Sequence, residues 1–206
     1  MSSLTSKLSF IVFALLAISV SIYPMMYFMV DRTFGLLGDK PPELLEQLMY
    51  NVGFYCHILM GSVALLVGWP QFHDGWRSRN IKVHRTLGKV YMGAVLISGF
   101  GSLYIVTYGS GGIIAQAGFF CLALTWLFTT YSGYRAVKRG DIPRHQRMMV
   151  YSYAACFAAV MLRIWLPLFT SVFEWRFTPS YQVIAWLCWV PNIAVAYWIN
   201  SRSLAG

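Results

Sequence analysis

Six runs of mostly apolar residues, separated by short polar connections, decide what this chain can fold into. They cover about residues 8–30, 51–69, 85–108, 113–134, 146–170 and 181–200. A helix needs about 20 such residues to cross the hydrocarbon core of a bilayer. No soluble domain could bury this surplus. Of the 206 residues 58% are hydrophobic and 11% charged, against about 25% charged in soluble domains. The predicted fold class is therefore all-α integral membrane, with about six transmembrane helices in a single domain spanning residues 1–206.

Net charge is +9, which could signal nucleic acid, but the placement of the charges argues for lipid. Pro70–Lys89 holds Arg77, Arg79, Lys82, Arg85 and Lys89, and Tyr134–Arg147 repeats the design with Arg135, Lys138, Arg139, Arg144 and Arg147. If both loops share a face with the termini, that face carries twelve Lys/Arg and two acids, Asp74 and Asp141. The other face has Arg32, Lys40 and Arg176 against Asp31, Asp39, Glu43, Glu46 and Glu174. The positive-inside rule then puts both termini in the cytoplasm of a multi-pass inner-membrane protein. Its basic face would lie against anionic lipid headgroups. The first run is too long for a signal-peptide core and is expected to be a retained helix, kinked at Pro24. PPELLEQLMY (41–50) has the prolines and pattern of a short amphipathic helix. Cys56, Cys121, Cys156 and Cys188 all lie in apolar runs without CxxC spacing, so neither disulfides nor a thiolate metal site are expected.

Runs two to five form a loose repeat. Each half is a helical hairpin with a basic inner loop, a histidine opening the return helix, an arginine close behind and a tyrosine about two turns on. The elements are His84, Arg85 and Tyr91 in one half, and His145, Arg147 and Tyr151 or Tyr153 in the other. Two such hairpins predict a four-helix bundle about a pseudo-two-fold axis, with His84 and His145 converging at the inner face and runs one and six at the periphery. Paired neutral imidazoles are how helix bundles hold haem iron from opposite sides. His84 and His145 are thus candidate metal ligands, with Arg85 beside them. The competing reading is that boundary histidines next to arginines serve lipid phosphates.

Two ionisable residues stand deeper. His57 lies about a turn in from the outer side, and Arg163 lies about 27 Å along its helix from His145. An intramembrane charge must meet water, carbonyls or an anion. An outer polar pocket of His57 and Arg163, with Asn51, is expected to hold a quinone carbonyl, a haem propionate or a carboxylate. Snorkelling of Arg163 to outer headgroups, with Pro167 ending its helix, is the alternative. Tryptophans and tyrosines near the run ends, such as Trp69, Tyr108 and Trp198, form an aromatic belt. No Walker loop, Rossmann fingerprint, nucleophile elbow or HExxH pattern is present.

His57 with Gly61, Gly68 and Gln71-Phe72, then HR-x-x-G-x-x-Y from His84 to Tyr91, His145-x-x-Met148, Tyr153 and Arg163 resemble a family of predicted bacterial membrane proteins. That family is described as a domain of unknown function. The resemblance covers about residues 50–170 and implies a multi-helix inner-membrane protein without implying an activity. A more distant similarity is to b-type cytochrome four-helix bundles, though the histidines here do not form two matched pairs.

The leading expectation is an electron-transfer protein or membrane oxidoreductase, with haem b at His84 and His145. A quinone or redox partner would approach His57 and Arg163. A proton-coupled or small-molecule transporter using His57 and Arg163 midway is the first competitor. A non-catalytic assembly or sensor subunit docking through its basic face is the second.

Overall fold

The computed structural model describes residues 3–30 and 35–202. Among them six helices are long and apolar enough to cross a membrane: α1 (Lys7–Met29), α2 (Leu48–Phe72), α3 (Ile81–Tyr108), α4 (Gly112–Lys138), α5 (Ile142–Val172) and α6 (Phe177–Arg202). Each apolar run becomes one helix, and most helices reach several residues past the run into polar sequence. The backbone keeps its hydrogen-bond ladder until a residue stops it, whereas hydropathy ends at the first charge. His84 and His145 consequently sit about one turn inside α3 and α5. Asp31 and Arg32, counted above on the outer face, lie outside the described residues.

Local chemistry explains the ends. Gly111 and Gly112 take φ of +87° and +70° in the turn before α4, a region open to glycine without steric cost. Arg135 and Lys138 fill the last turn of α4, where cations meet the negative end of the helix dipole. Gly140 then reverses the chain at φ +78°. Asp141 caps α5, its Oδ1 accepting from the Arg144 amide at 3.0 Å. His73, in the first basic loop, caps the short helix Asp74–Arg79 by accepting the Trp76 amide on Nδ1 at 3.1 Å. The expected amphipathic helix appears as Pro42–Glu46, with Leu44 and Leu45 buried.

α1, α5 and α6 are interrupted within their length. α1 passes through a 3-10 turn at Tyr23–Met25, where Pro24 removes a donor. α5 breaks at Phe157 and continues past Pro167 as a π-turn, Leu168–Val172, rather than ending there. α6 breaks between Leu187 and Val190. Asn192 joins the two breaks, its Nδ2 donating to Ala154 O at 3.2 Å and Cys188 O at 3.0 Å.

The closest pair is α2 with α3, followed by α4 with α5; α3 also packs on α4, α1 on α2 and α5, and α6 on α4 and α5. At the α2–α3 contact the backbones themselves meet: a Cβ on Gly101 would lie 2.8 Å from Gly53 O and 3.3 Å from His57 N. Small residues permit that approach in membranes. α1 and α6 are the least buried of the six helices, as expected of peripheral spans, yet each sends residues into the core. Ala17 of α1, at 0% exposure, belongs to the same core cluster as Tyr91, Val95 and Val160. Ile184 and Cys188 of α6 are also at 0%. Hydropathy cannot distinguish a lipid-facing apolar residue from one facing protein, so the runs alone do not say which residues turn inward.

Candidate functional site

A cavity of about 610 Å³ opens among α1, α2, α3, α4, α5 and α6 and the outer segment between α1 and α2. That lies within the roughly 300–1,000 Å³ of small-molecule sites. At the end that the charge count assigns to the outer face stand Lys40, Tyr108 and Ser110; towards the other end the wall includes Leu65, Trp126 and Cys156. His57 and Arg163 both line it. Asn51 does not: its amide donates to Leu45 O and Gln47 O, both at 2.8 Å, securing the start of α2.

His57 is held by the helix it faces. The Ser98 hydroxyl donates to His57 O at 2.8 Å. Ser98 Oγ and O lie 3.1 and 3.2 Å from His57 Nδ1. A carbonyl can only accept, and the serine proton is already committed, so Nδ1 carries the imidazole proton. Nε2 is left as an acceptor with no partner among the described residues.

Arg163 is a half-buried cation. Nη1 donates to Ala159 O, one turn back on its own helix, at 2.9 Å. Its guanidinium lies 4.3 Å from the Tyr23 ring centroid, a stabilising cation–π arrangement. Nε is buried with no hydrogen-bond partner among the described residues. Its charge interacts with His57, Tyr27 and Tyr181. Among the described lining residues none is Asp or Glu, while Arg163 and Lys40 are both cationic types. The site can therefore present a proton acceptor and a positive charge to an oxygen-bearing head, with apolar walls for its body.

Sequence reasoning paired His57 with Arg163 by depth but missed Lys40 and the tyrosines, because folding back of the 35–47 segment leaves no periodic signal. Lys40 Nζ donates to Tyr108 O at 2.5 Å and Ser110 Oγ at 2.8 Å. Burial pulls its pKa below the usual lysine value, and neighbouring Asp39 partly offsets this.

The inner pair lies apart from the cavity, whose wall includes neither His84, His145 nor Arg85. His84 and His145 are close enough for their charges to interact, with Arg77 and Arg85 also near His84. His145 Nδ1 donates to Gly133 O at 2.9 Å, leaving Nε2 with its lone pair. As it stands the Gln71 amide donates to Val67 O at 3.3 Å; turned end for end it would donate to His84 Nδ1 at 2.8 Å and accept from the Gly88 amide at 3.2 Å. In that second orientation His84 carries its proton on Nε2, the opposite tautomer to His145. Arg85 is exposed. No group of three or more His, Cys, Asp or Glu suited to a metal occurs among the described residues.

Between the two sites lies a closed ring of buried hydrogen bonds. Trp126 Nε1 donates to Tyr91 OH at 3.3 Å, and Tyr91 meets Ser152 Oγ at 2.8 Å. Ser152 meets Thr130 Oγ1 at 2.6 Å, and Thr130 donates to Trp126 O at 2.7 Å. The indole and the carbonyl fix the direction from Trp126 through Tyr91, Ser152 and Thr130 back to Trp126. Ser152→Ala would strand the Tyr91 proton and is expected to cost about 1–3 kcal/mol, read as a lower midpoint in thermal unfolding of purified protein. An unchanged midpoint would show that the ring contributes nothing to stability.

Compared with known proteins, residues 54–199 match a family model described as "Predicted membrane protein (DUF2306)". No curated protein matches the chain, and no solved structure does.

Proposed function

The chain belongs to the DUF2306 family of predicted membrane proteins, and from that premise we propose that it binds a lipid-soluble molecule with an oxygen-bearing head, a quinone first among them, for electron transfer within the membrane. The observation that carries this reading is the cavity of about 610 Å³ with the His57 acceptor and the Arg163 guanidinium on its wall. Reduction of a quinone carbonyl builds negative charge on oxygen, which Arg163 would stabilise. His57 Nε2 would take a proton from a quinol hydroxyl and, once charged, return it. Quenching of tryptophan fluorescence by a short-chain quinone is expected to saturate in the wild type. It should weaken tenfold or more in His57→Leu; saturable binding unaffected by that change overturns the reading.

Haem b, held by His84 and His145, would be the electron store this reading calls for, and Arg85 would supply a cation for a propionate. His145 supports it, since ligating histidines donate their second ring N–H to a carbonyl or carboxylate, as His145 does to Gly133 O. His84 supports it with Gln71 in the first of its two orientations, because ligation through Nε2 requires the proton on Nδ1. When bound, haem would supply one-electron chemistry on the cytoplasmic side of the inner membrane. Protein purified from haem-replete cells is expected to give a reduced-minus-oxidised Soret difference, lost in His145→Ala. Absence of both the signal and iron in the wild type overturns the haem assignment.

A carrier reading has one observation in its favour. The breaks in α5 and α6 place Cys156, Ala158 and Cys188 on the cavity wall, and interrupted helices mark the sites of many transporters. Flux of a labelled ligand in proteoliposomes, lost in Arg163→Ala, would favour transport over electron transfer.

A further inference from the structure

Lys40 is the cavity's second cation, and the binding reading above does not use it. It belongs to the outer segment, where Leu37, three residues before it, is 2% exposed and packed with Tyr27, Leu44 and Phe54. That anchoring fixes where the ammonium can reach. An ammonium has three donors. Tyr108 O and Ser110 Oγ take two of them, so one remains, on a residue that lines the cavity. Asp39, the acid whose charge acts on Lys40, lines a separate recess with Ser110, Phe177 and Thr178. The cavity wall thus gathers two cationic side chains and, among the described residues, no carboxylate.

We infer that Lys40 makes the cavity selective for an amphiphile whose head carries a formal negative charge on oxygen, in preference to a neutral head of the same shape. The inference rests on the cavity reading and names the charge of its ligand. A carboxylate on an alkyl body is the simplest member of the class, and a reduced quinone anion shares its chemistry. The anion would take the third donor of Lys40, which returns to a partly desolvated cation the stabilisation that burial removed.

The test uses the full chain in nanodiscs of zwitterionic lipid, with decanoate, decanol and a short-chain quinone as probes. Decanoate is expected to bind at least tenfold more tightly than decanol in the wild type. In Lys40→Gln, which keeps a donor for Tyr108 O, that ratio should collapse towards one; in Lys40→Arg it should be retained. A ratio near one in the wild type, or one unaltered by Lys40→Gln, overturns the inference. So does saturable binding of the quinone alone, although that leaves the quinone reading standing. If none of the three probes binds, the cavity reading falls as well.

Discussion

Valine at Gly101 is expected to give a protein that folds poorly or not at all. Its Cβ would lie 2.8 Å from Gly53 O and 3.3 Å from His57 N, both of them backbone atoms of α2, so no side-chain rotation can relieve the clash. The two helices must separate. Overpacking usually costs about 1–3 kcal/mol, and contact with backbone puts this substitution at the upper end or beyond. The measurement is the yield of monodisperse protein and its unfolding midpoint in detergent. Gly93→Ala, on the same helix, provides the contrast. Its Cβ would meet nothing within 4 Å, and alanine is favoured over glycine in a helix by about 1 kcal/mol. A normal yield for Gly101→Val would show that α2 and α3 do not pack as described. Its effect should also reach function, because the displaced helix carries His57.

Arg163→Leu should do the reverse, leaving the fold intact while abolishing ligand binding. An arginine held within a membrane helix is costly, and here it has an open Nε and no carboxylate among the described lining residues. Leucine, although shorter, removes that cost, and the evident losses are the bond to Ala159 O and the cation–π contact with Tyr23. Thermal stability is therefore expected to hold or rise. Removing one partner of a desolvated charge pair costs about 2–5 kcal/mol, and each 1.4 kcal/mol is about tenfold. Binding of an anionic or quinone probe should accordingly weaken by about 30-fold or more. A variant that is both unstable and still binds would identify Arg163 as a structural residue.

The difference between these two positions explains how much could be read from sequence. The six spans were legible because hydropathy and length report on the bilayer, a solvent common to every helix. The spacing of Gly101 was visible as a small residue in an apolar run, but Gly93 looks the same in sequence. Only the partner helix distinguishes them. His57 and Arg163 stood out because charge in a membrane is conspicuous, and depth alone put them at one level. Lys40 did not stand out: a lysine in a polar loop looks solvated until Leu37 and Leu44 draw its segment down against α2. The inner histidines were legible as a pair, but their protonation was not. It depends on Gln71 and Gly133 O, which are 13 residues and 12 residues away in sequence and whose carbonyl and amide chemistry leaves no mark in a hydropathy pattern.

The hydrogen-bond ring through Trp126, Tyr91, Ser152 and Thr130 separates the outer cavity from the inner histidines. A row of hydroxyls across a membrane core would ordinarily suggest a conductor. This row starts at an indole N–H and ends on the carbonyl of the same residue. Neither end gives up or holds a proton at physiological pH, and every hydroxyl between them already has its hydrogen assigned. The ring therefore gives a proton no way in or out at its ends. On the proposed reading, a proton released at His57 would return to water through the cavity, and electrons passing to the inner histidines would travel without it.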